Sequence, residues 1–518
     1  MDQATDLLSR VEHLLLKPLH HSSLQALAAF LVWYVVYQRY FHPLRKFPGP
    51  FLASLTVFWR LSNILTFRQS LNDHALHQKY GPVFRDGPNS LSIADPRALE
   101  PIYGTRNELS KTPWYLIMDP DNTGEDYSVF SSRRAEQHKR LKKRIAGAYS
   151  MTSVRVYEPV IDRNVNDLLA WMKELKTLDV SVWTHYFAMD CMSEIAYGNR
   201  MGFLINGTDV NGYRKALHES VVFIATMGYL TGLNYVIKSK WLSPYLAPSP
   251  KDKHGYGHMI GMTQALATDL LENGNTTGKR NMSHDLLQCR NDDNTPLSKK
   301  ELIGEMLAFT TAGSDPTAYE ISSILDRICR HGEVREKVLQ ELRGVGELEQ
   351  SSAEGVVTYA QTLRLPYFLA VVKETMRLSP AFQGQFSRVA PEGGEGLEVL
   401  PGVVVPGGVW LSVNTYISQR DKLIFGEDAE EFKPERWLPI GGDRYHAMAK
   451  HLSVFGYGST ACMGKYLASQ KINKTVVEIL RRFNVELRDP KAPLKEKNII
   501  QMFISDLFMT FTERENKI

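Results

Sequence analysis

Cysteine is scarce in this sequence, which has four among 518 residues. They are Cys191, Cys289, Cys329 and Cys462. Because they are widely spaced, with no Cys-x-x-Cys pair and no Cys/His cluster, the sequence argues against both a disulfide framework and a structural zinc site. The same scarcity indicates a reducing compartment.

A strong excess of charge is also missing. The formal net charge is +4, which is small for this length and predicts no nucleic-acid partner. The sequence has no internal repeat, no low-complexity stretch and no convincing linker after residue 50. Since 43% of its residues are apolar, the chain can bury a large core, and we expect a single domain over residues 51–518.

Formal charge is absent from one N-terminal stretch, the 21 positions between Lys17 and Arg39. A membrane-spanning helix needs about 20 mostly apolar residues. The densest part, residues 24–37, is shorter, so a signal peptide or a buried core helix stays open as an alternative. Aromatic residues at its end and basic residues after it favour a single-pass anchor within residues 1–45, spanning about residues 22–40. The prolines of residues 46–50 predict a Pro-Gly hinge before the catalytic domain.

Helical spacing predominates in the rest of the chain. The helical segments are 131–150, 164–174, 215–229, 258–272 and 298–329. Ser298 and Glu301 stand at capping-box spacing at the start of the last segment. The alternation typical of strands is clearest in residues 397–413, where Pro-Gly turns separate β-branched runs. These patterns predict a mostly α fold with a minor β-sheet region.

One of the four cysteines has an unusual setting. Cys462 lies in FGYGSTACMGK, residues 455–465, where three glycines allow sharp turns or close approach to another body. An isolated cysteine is most often a small buried side chain. A thiolate at a helix N-terminus, however, is stabilised as an anion and can bind a metal. With no second ligand nearby, one thiolate on a porphyrin iron fits better than a zinc cage.

The same segment resembles the haem-binding loop of the cytochrome P450 family, whose pattern is Phe-x-x-Gly-x-Arg-x-Cys-x-Gly. Phe455, Gly458, Cys462 and Gly464 match this pattern, and Thr460 stands at the arginine position. The resemblance implies the cytochrome P450 fold, in which haem b lies between a long distal helix and the Cys loop. It also implies that Cys462 is the axial iron ligand and that Phe455, Gly458 and Gly464 line the cofactor.

Two further motifs resemble the family's buried Glu-Arg-Arg network. Glu374 and Arg377 form a Glu-x-x-Arg motif, and Arg436 in FKPERW matches the arginine that completes the network. A Glu-x-x-Arg pair on its own would usually be a surface ion pair. The resemblance implies a structural role for these three residues.

The segment AGSDPT, residues 312–317, resembles the family's distal-helix pattern Ala/Gly-Gly-x-Asp/Glu-Thr-Thr. The resemblance implies that Ala312 leaves room for dioxygen and that Asp315 is the acidic member of a proton relay. Pro316 replaces the usual threonine. A proline inside a helix normally costs about 3 kcal/mol, and the resemblance implies a smaller cost here because the family's helix is locally opened at this point. Proton delivery would then depend on Thr317, Asp315, bound water or a hydroxyl group of the substrate.

Basic residues are expected around the haem propionates, because carboxylates in an apolar pocket need hydrogen-bond donors. The resemblance assigns His138, Lys142 and Arg388 to this role, although residues 138–144 could equally be a solvated basic face. The neighbouring basic residues are candidates for docking an acidic NADPH-cytochrome reductase. They are Lys139, Lys143 and Arg144.

The resemblance to fungal members implies a monooxygenase of secondary metabolism at the endoplasmic reticulum membrane. It would take electrons from NADPH through a separate reductase and oxidise a bulky hydrophobic substrate. Substrate contacts are expected in five largely apolar segments, 111–120, 221–230, 306–310, 380–386 and 501–507. A haem-thiolate isomerase, dehydratase or peroxide rearrangement enzyme is the alternative, because the loss of threonine at Pro316 would affect it less.

Overall fold

The structure is a computed structural model that describes residues 21–106, 108–119, 128–273, 278, 280–291, 294–344, 352–384 and 386–515. Residues 1–20, which belong to the predicted anchor and its flank, lie outside the described residues, as do Pro120 and Gln385 of the predicted substrate segments. The helices of eight or more described residues are α1 (His21–Val36), α2 (Phe58–Leu65), α3 (Gln69–Tyr80), α4 (Ala135–Ile145), α5 (Glu158–Leu175), α6 (Val180–Tyr197), α7 (Tyr213–Met227), α8 (Gly255–Asn273), α9 (Lys299–Ala312), α10 (Asp315–Arg330), α11 (Gly332–Gly344), α12 (Pro366–Leu378), α13 (Asp443–His451) and α14 (Lys465–Arg482).

Short α-helical turns connect these elements. They are Phe51–Leu55, Leu99–Tyr103, Met151–Arg155, Phe203–Asn206, Thr231–Ile237, Ser243–Leu246, Met282–Leu287, Tyr359–Thr362, Thr415–Ser418 and Lys422–Phe425. The strands are β1 (Val83–Gly87), β2 (Ser90–Ile93), β3 (Thr177–Asp179), β4 (Arg388–Val389), β5 (Leu397–Leu400), β6 (Val403–Val405), β7 (Trp410–Val413), β8 (Phe483–Leu487), β9 (Lys495–Asn498), β10 (Met502–Ser505) and β11 (Phe508–Glu513). The predicted mostly α fold with minor sheets is confirmed.

The sheets are small and mostly antiparallel. The largest has the order β1-β2-β7-β4, and only its β2 and β7 pair is parallel, with Leu91 opposite Leu411. The others are β3-β11-β8, β9-β10 and the hairpin β5-β6. This hairpin and β7 lie within residues 397–413, as the alternation predicts. Side chains of β2 and β7 form a second hydrophobic cluster beside the main core.

The main core forms where α5, α6, α10 and α14 pack together. Nearly every side chain of α6 is buried, as expected for a helix that is covered on all sides. The helix α14 is similar and buries two lysines, Lys471 and Lys474. Because α14 begins three residues after Cys462, the packing of this core fixes the position of the cysteine.

The predicted helix over residues 298–329 is divided into α9 and α10. Ser298 and Glu301 form the predicted capping box at the start of α9, and that helix ends at Ala312. The next helix, α10, begins at Asp315, so Pro316 lies in its first turn. A proline is tolerated there because the first-turn N–H groups have no intrahelical partner. The full cost of a proline in a helix interior therefore does not apply at this position, in agreement with the smaller cost that the resemblance implies.

The segment predicted as a hinge is attached to the body of the protein. The Arg85 amide of β1 donates to the Pro48 carbonyl at 2.7 Å, and a side chain at Gly49 would collide with the Arg85 carbonyl oxygen. The Arg85 guanidinium donates to the Gln38 carbonyl at 3.0 Å and to its side-chain oxygen at 2.6 Å. Leu44, between these points, is fully buried. Residues 38–50 are thus part of the packed body and not a free linker.

Among the described residues, no single helix combines the length and the apolar character needed to cross a bilayer. One sharply bent pair, Val210–Met227 with Thr231–Ile237, meets the criterion on length and composition alone.

Candidate active site

The Cys loop runs from Phe455 to the start of α14. Within it, the Cys462 amide donates to the Phe455 carbonyl at 2.7 Å, which closes the loop into a compact turn. The Cys462 side chain remains accessible although protein surrounds it. This desolvation raises the pKa of the Cys462 thiol, while the backbone N–H groups of Gly464 and Lys465 and the charge of Lys142 act in the opposite direction. The backbone dipoles at the start of α14 therefore favour a thiolate.

One glycine of the loop is required by close approach. Gly458 has φ +57°, and a side chain there would collide with the Tyr103 carbonyl oxygen. At Gly464, an added Cβ would lie 3.9 Å from Cys462 Sγ, which is an ordinary van der Waals contact. Phe455 is half-buried and packs on the main core. The loop thus presents one accessible sulfur with little side-chain bulk around it.

The end of α9 offers a second accessible spot in a buried region. Ala312 is exposed, whereas Phe309, Thr310 and Ser314 around it are buried. An accessible thiol and an accessible small residue, each set in buried elements, fit the demands of a haem that needs one axial ligand and an open opposite side. The predicted roles of Cys462 and Ala312 are consistent with this chemistry.

Asp315 belongs to a buried cluster with two histidines. Its carboxylate contacts His185 Nε2 directly and lies 3.5 Å from His218 Nε2. Gln501 Nε2 donates to the other carboxylate oxygen at 2.8 Å. Burial alone would raise the pKa of Asp315, but the two imidazoles outweigh it and hold the pKa well below its usual range. The predicted acid is therefore kept ionised.

Thr317, the other predicted relay residue, is bonded elsewhere. Its Oγ1 donates to the Gly313 carbonyl at 3.0 Å, one turn back at the break between α9 and α10. Among the described residues, no hydrogen bond joins Thr317 to Asp315. His185 and His218 were not predicted from the sequence, because a lone histidine on a helix carries no local signal of its partner.

The three predicted propionate donors gather near the Cys loop. Lys142 Nζ donates to the Ser459 carbonyl, and Arg388 Nη2 donates to Thr460 Oγ1 at 3.0 Å. His138 is buried, and its Nδ1 lies 2.6 Å from a carboxylate oxygen of Glu108. Burial and the nearby charges of Lys111, Lys142 and Arg388 lower the pKa of His138 to about 3. His138 is consequently a neutral imidazole that can donate one hydrogen bond.

Glu108 and Lys111 also belong to this charged cluster, and the sequence prediction missed both. Lys111 is buried, and its Nζ donates to the carbonyls of Val129 and Phe130 at 2.8 Å each. Lys111 also pairs across an isolated β-bridge with Arg388. A signal existed in the sequence, since a lysine beside the aromatic run after residue 110 has few ways to stay solvated.

Arg144 does not belong to a docking surface, so that prediction is wrong. Its side chain is 4% exposed and forms an ion pair with Glu301 at 2.9 Å. It also contacts Asn291. The helix α4 therefore turns Arg144 inward, while Lys139 and Lys143 remain exposed.

The predicted Glu-Arg-Arg network is present and buried. Glu374 Oε2 accepts from Arg377 Nε at 2.8 Å, and Glu374 Oε1 accepts from Arg436 Nε at 2.8 Å. The Trp437 indole and the Lys433 amide each donate to the same carboxylate at 2.9 Å. All three charged side chains are at most 1% exposed. The carboxylate is thus fully hydrogen-bonded, which a buried charge requires.

A chain of aromatic rings connects three of the predicted substrate segments. Successive ring centroids lie 5.1–6.4 Å apart. In order, the rings are Tyr229, Trp114, Tyr115, Phe130, Phe386 and Phe382. The fourth segment joins them because the Met502 amide donates to the Ala381 carbonyl at 2.8 Å. Phe130 was not among the predicted contacts, since it is separated from these segments in sequence.

Comparison with known proteins adds independent information. The sequence matches the model of a family described as Cytochrome P450 over residues 48–507. A cytochrome P450 monooxygenase, ABA1, from Pyricularia oryzae is 30% identical over 494 residues, covering 91% of this chain and 93% of the relative. A cytochrome P450 monooxygenase from Aspergillus terreus is 30% identical and covers 85% and 90%. The pisatin demethylase of Fusarium vanettenii is 29% identical and covers 88% and 86%.

Proposed function

The chain belongs to the cytochrome P450 family, and we propose that it inserts one oxygen atom from dioxygen into a bulky hydrophobic substrate. The observation that carries the proposal is the accessible Cys462 thiol at the start of α14, inside the matched region. Relatives that are similar over most of the chain are named monooxygenases. A step in fungal secondary metabolism is the context that these relatives support.

The residues of the Cys loop would hold the cofactor. When bound, a thiolate-ligated haem supplies the electron density that favours cleavage of the O–O bond. Cys462 would bind the iron, and the accessible Ala312 would leave space for dioxygen on the opposite side. Arg388 and Lys142 would donate to the propionate carboxylates. The single N–H of the neutral His138 is taken by the Glu108 carboxylate, which lies against Nδ1, so His138 would support this cluster without donating to a propionate.

Proton delivery in this chain cannot use a hydroxyl group at position 316. Asp315 is held ionised by its histidines, so it is a weak base and has no proton to release. Thr317 Oγ1 already donates to the Gly313 carbonyl. We therefore propose that bound water or a hydroxyl group of the substrate delivers the protons, and that Thr317 does not replace the missing threonine.

The experiment that tests the function is turnover under isotopically labelled dioxygen. The full chain is expressed with an NADPH-dependent reductase, and candidate hydrophobic metabolites are analysed by mass spectrometry. We expect one labelled oxygen atom per product molecule, and no product from the Cys462→Ala variant. A product without label would instead support the haem-thiolate isomerase, dehydratase or rearrangement enzyme that the missing hydroxyl at Pro316 favours. In the same assay, Thr317→Val should keep the ratio of product to NADPH within about twofold of the parent protein.

The aromatic chain around Tyr115 supports a bulky apolar substrate. Pockets for such molecules are lined mostly by aromatic and aliphatic side chains with few polar groups. The rings from Tyr229 to Phe382 have this character and come from segments far apart in sequence.

We propose that an acidic reductase docks against the exposed lysines of α4. Reversing both charges with Lys139→Glu and Lys143→Glu is expected to slow electron transfer from the reductase about tenfold at low salt, because electrostatic steering accelerates association by 10-fold or more. Salt screens such steering, so the difference should shrink at 0.5 M salt. The measurement is stopped-flow reduction at both ionic strengths; equal rates for parent and variant at low salt would remove α4 from the docking face.

Attachment to the endoplasmic reticulum membrane through residues 22–40 is also proposed. It is supported by the apolar side chains of α1, of which Leu27, Phe30, Leu31, Val32 and Trp33 are more than half exposed. The short π-helix Tyr37–Phe41 continues α1 directly into residues 38–50, which are part of the packed body. Release of the full chain from microsomes by alkaline carbonate would contradict an integral anchor.

A further inference from the structure

Lys471 is a buried lysine that has no part in the function proposed above. It lies in the second turn of α14, nine positions after Cys462, and is 1% exposed. Burial lowers its pKa to about 8, which leaves the amine mostly protonated at neutral pH. A buried ammonium group is costly unless it is hydrogen-bonded. The partners of Lys471 therefore indicate what holds it inside the core.

Those partners lie at the break between α9 and α10. Lys471 Nζ donates to the Gly313 carbonyl at 2.7 Å and lies 3.0 Å from Met192 Sδ. Gly313 is itself packed against Met192, since a side chain at position 313 would collide with the methionine. The ammonium group of Lys471 thus lies enclosed between α14, α6 and the break.

The chemistry of the break explains why a side chain is needed there. Within the described residues, no backbone N–H donates to the Gly313 carbonyl, and Pro316 has no N–H to donate to Ala312. The Gly313 carbonyl is satisfied by side chains instead, by Lys471 Nζ and by Thr317 Oγ1 at 3.0 Å. Side chains inserted into the hydrogen-bond ladder are a recognised cause of helix breaks.

We propose that Lys471 is a positioning residue for oxidation at the haem, because its ammonium group fixes the break at Gly313 and thereby the positions of Ala312 and Thr317. The link is direct, since α14 starts beside Cys462 and this bond joins it to the break between α9 and α10. The functional part of this proposal rests on the proposed monooxygenase activity. The placement of the break by Lys471 does not.

The test compares Lys471→Met with a matched control on the same helix. Methionine has a similar length but no N–H donor, so Lys471→Met removes the bond and keeps the side-chain volume. Lys474→Met is the control for the loss of a buried charge, because Lys474 is also buried but pairs with Glu158 and Asp162, away from the break. Its loss should lower the stability of the whole protein without a specific effect on residues 311–318. Lys471→Gln keeps a neutral donor and serves as the conservative variant.

The first measurement is hydrogen exchange of the haem-loaded protein over residues 311–318, relative to α6. Loss of a hydrogen bond from a charged donor should raise exchange there about 10-fold or more in Lys471→Met. Lys471→Gln should restore part of the protection, and Lys474→Met should leave the ratio to α6 unchanged. Equal exchange in the parent and Lys471→Met, or equal increases in the two methionine variants, would overturn the proposal.

The second measurement uses carbon monoxide as a diatomic probe of the distal side. After flash photolysis of the reduced carbon monoxide complex, the rebinding rate should change at least threefold in Lys471→Met and remain near the parent value in Lys474→Met. An increase in exchange with unchanged rebinding would overturn the functional part. Failure of the parent protein to oxidise any substrate under labelled dioxygen would count against the proposed function, whereas the exchange result would still decide the role of Lys471.

Discussion

Replacing Cys462 with alanine is expected to leave a folded protein that has lost its thiolate-bound cofactor and its oxidation activity. The thiol is accessible, and the hydrogen bond that closes the loop comes from the backbone amide of Cys462. Removal of the thiol should therefore disturb the packing little. Residues that only support a metal ligand already change affinity or activity about 10–100-fold when mutated. Loss of the ligand itself should therefore reduce turnover by more than about 100-fold.

The measurement for Cys462→Ala combines haem content, the absorption spectrum of the reduced carbon monoxide complex, and NADPH-dependent turnover. The thiolate signature should disappear from the spectrum, whatever haem remains bound. Cys289→Ala is a suitable control, because its Sγ makes only a weak contact with the Asp285 carbonyl at 3.4 Å. If Cys462→Ala kept the thiolate spectrum, another cysteine would have to be the ligand, and the assignment of the loop would be wrong.

The second large effect is expected for Glu374→Gln. This change keeps the shape of the side chain but removes the one carboxylate that Arg377 and Arg436 share. Breaking a buried ion pair by neutralising one partner costs about 3–5 kcal/mol, because a buried charge is left uncompensated. Since folded proteins are stable by only about 5–15 kcal/mol, the variant should show a markedly lower unfolding temperature and poor haem retention.

A control for this variant lies one residue away from Arg436. Glu435 is 39% exposed and pairs with Lys337 at 2.7 Å, and an exposed pair contributes about 0–1 kcal/mol. Glu435→Gln should consequently lower the unfolding midpoint in denaturant only slightly. Similar midpoints for Glu374→Gln and Glu435→Gln would mean that the buried network does not stabilise the fold.

Several features could be predicted because their signal is local. The capping box at Ser298 and the turns of residues 397–413 depend on neighbours within a few positions, and the structure contains both. The Cys loop also has a compact pattern. The contact of Arg436 with Glu374 is more distant, and only the resemblance to a family made it predictable.

Other features could not be predicted because they depend on contacts between distant parts of the chain. Arg144 has the spacing of a surface residue in α4, and its burial follows from Glu301, 157 positions later. The break at Gly313 involves Lys471, 158 positions away. Asp315 contacts two histidines, one from α6 and one from α7. No pattern in the helix of Asp315 indicates these contacts. Periodicity reports which face of a helix is apolar, but not which polar groups arrive from elsewhere.

The bonds from Arg85 to Gln38 fix the orientation of the packed body relative to α1. Because the Arg85 guanidinium binds the chain just after α1, the direction in which α1 extends from the body at residue 37 is defined. The N-terminal helix α1 is then a rigid attachment and not a flexible tether. Whatever surface α1 binds would set the tilt of the whole body, and with it the direction from which substrate and reductase must approach.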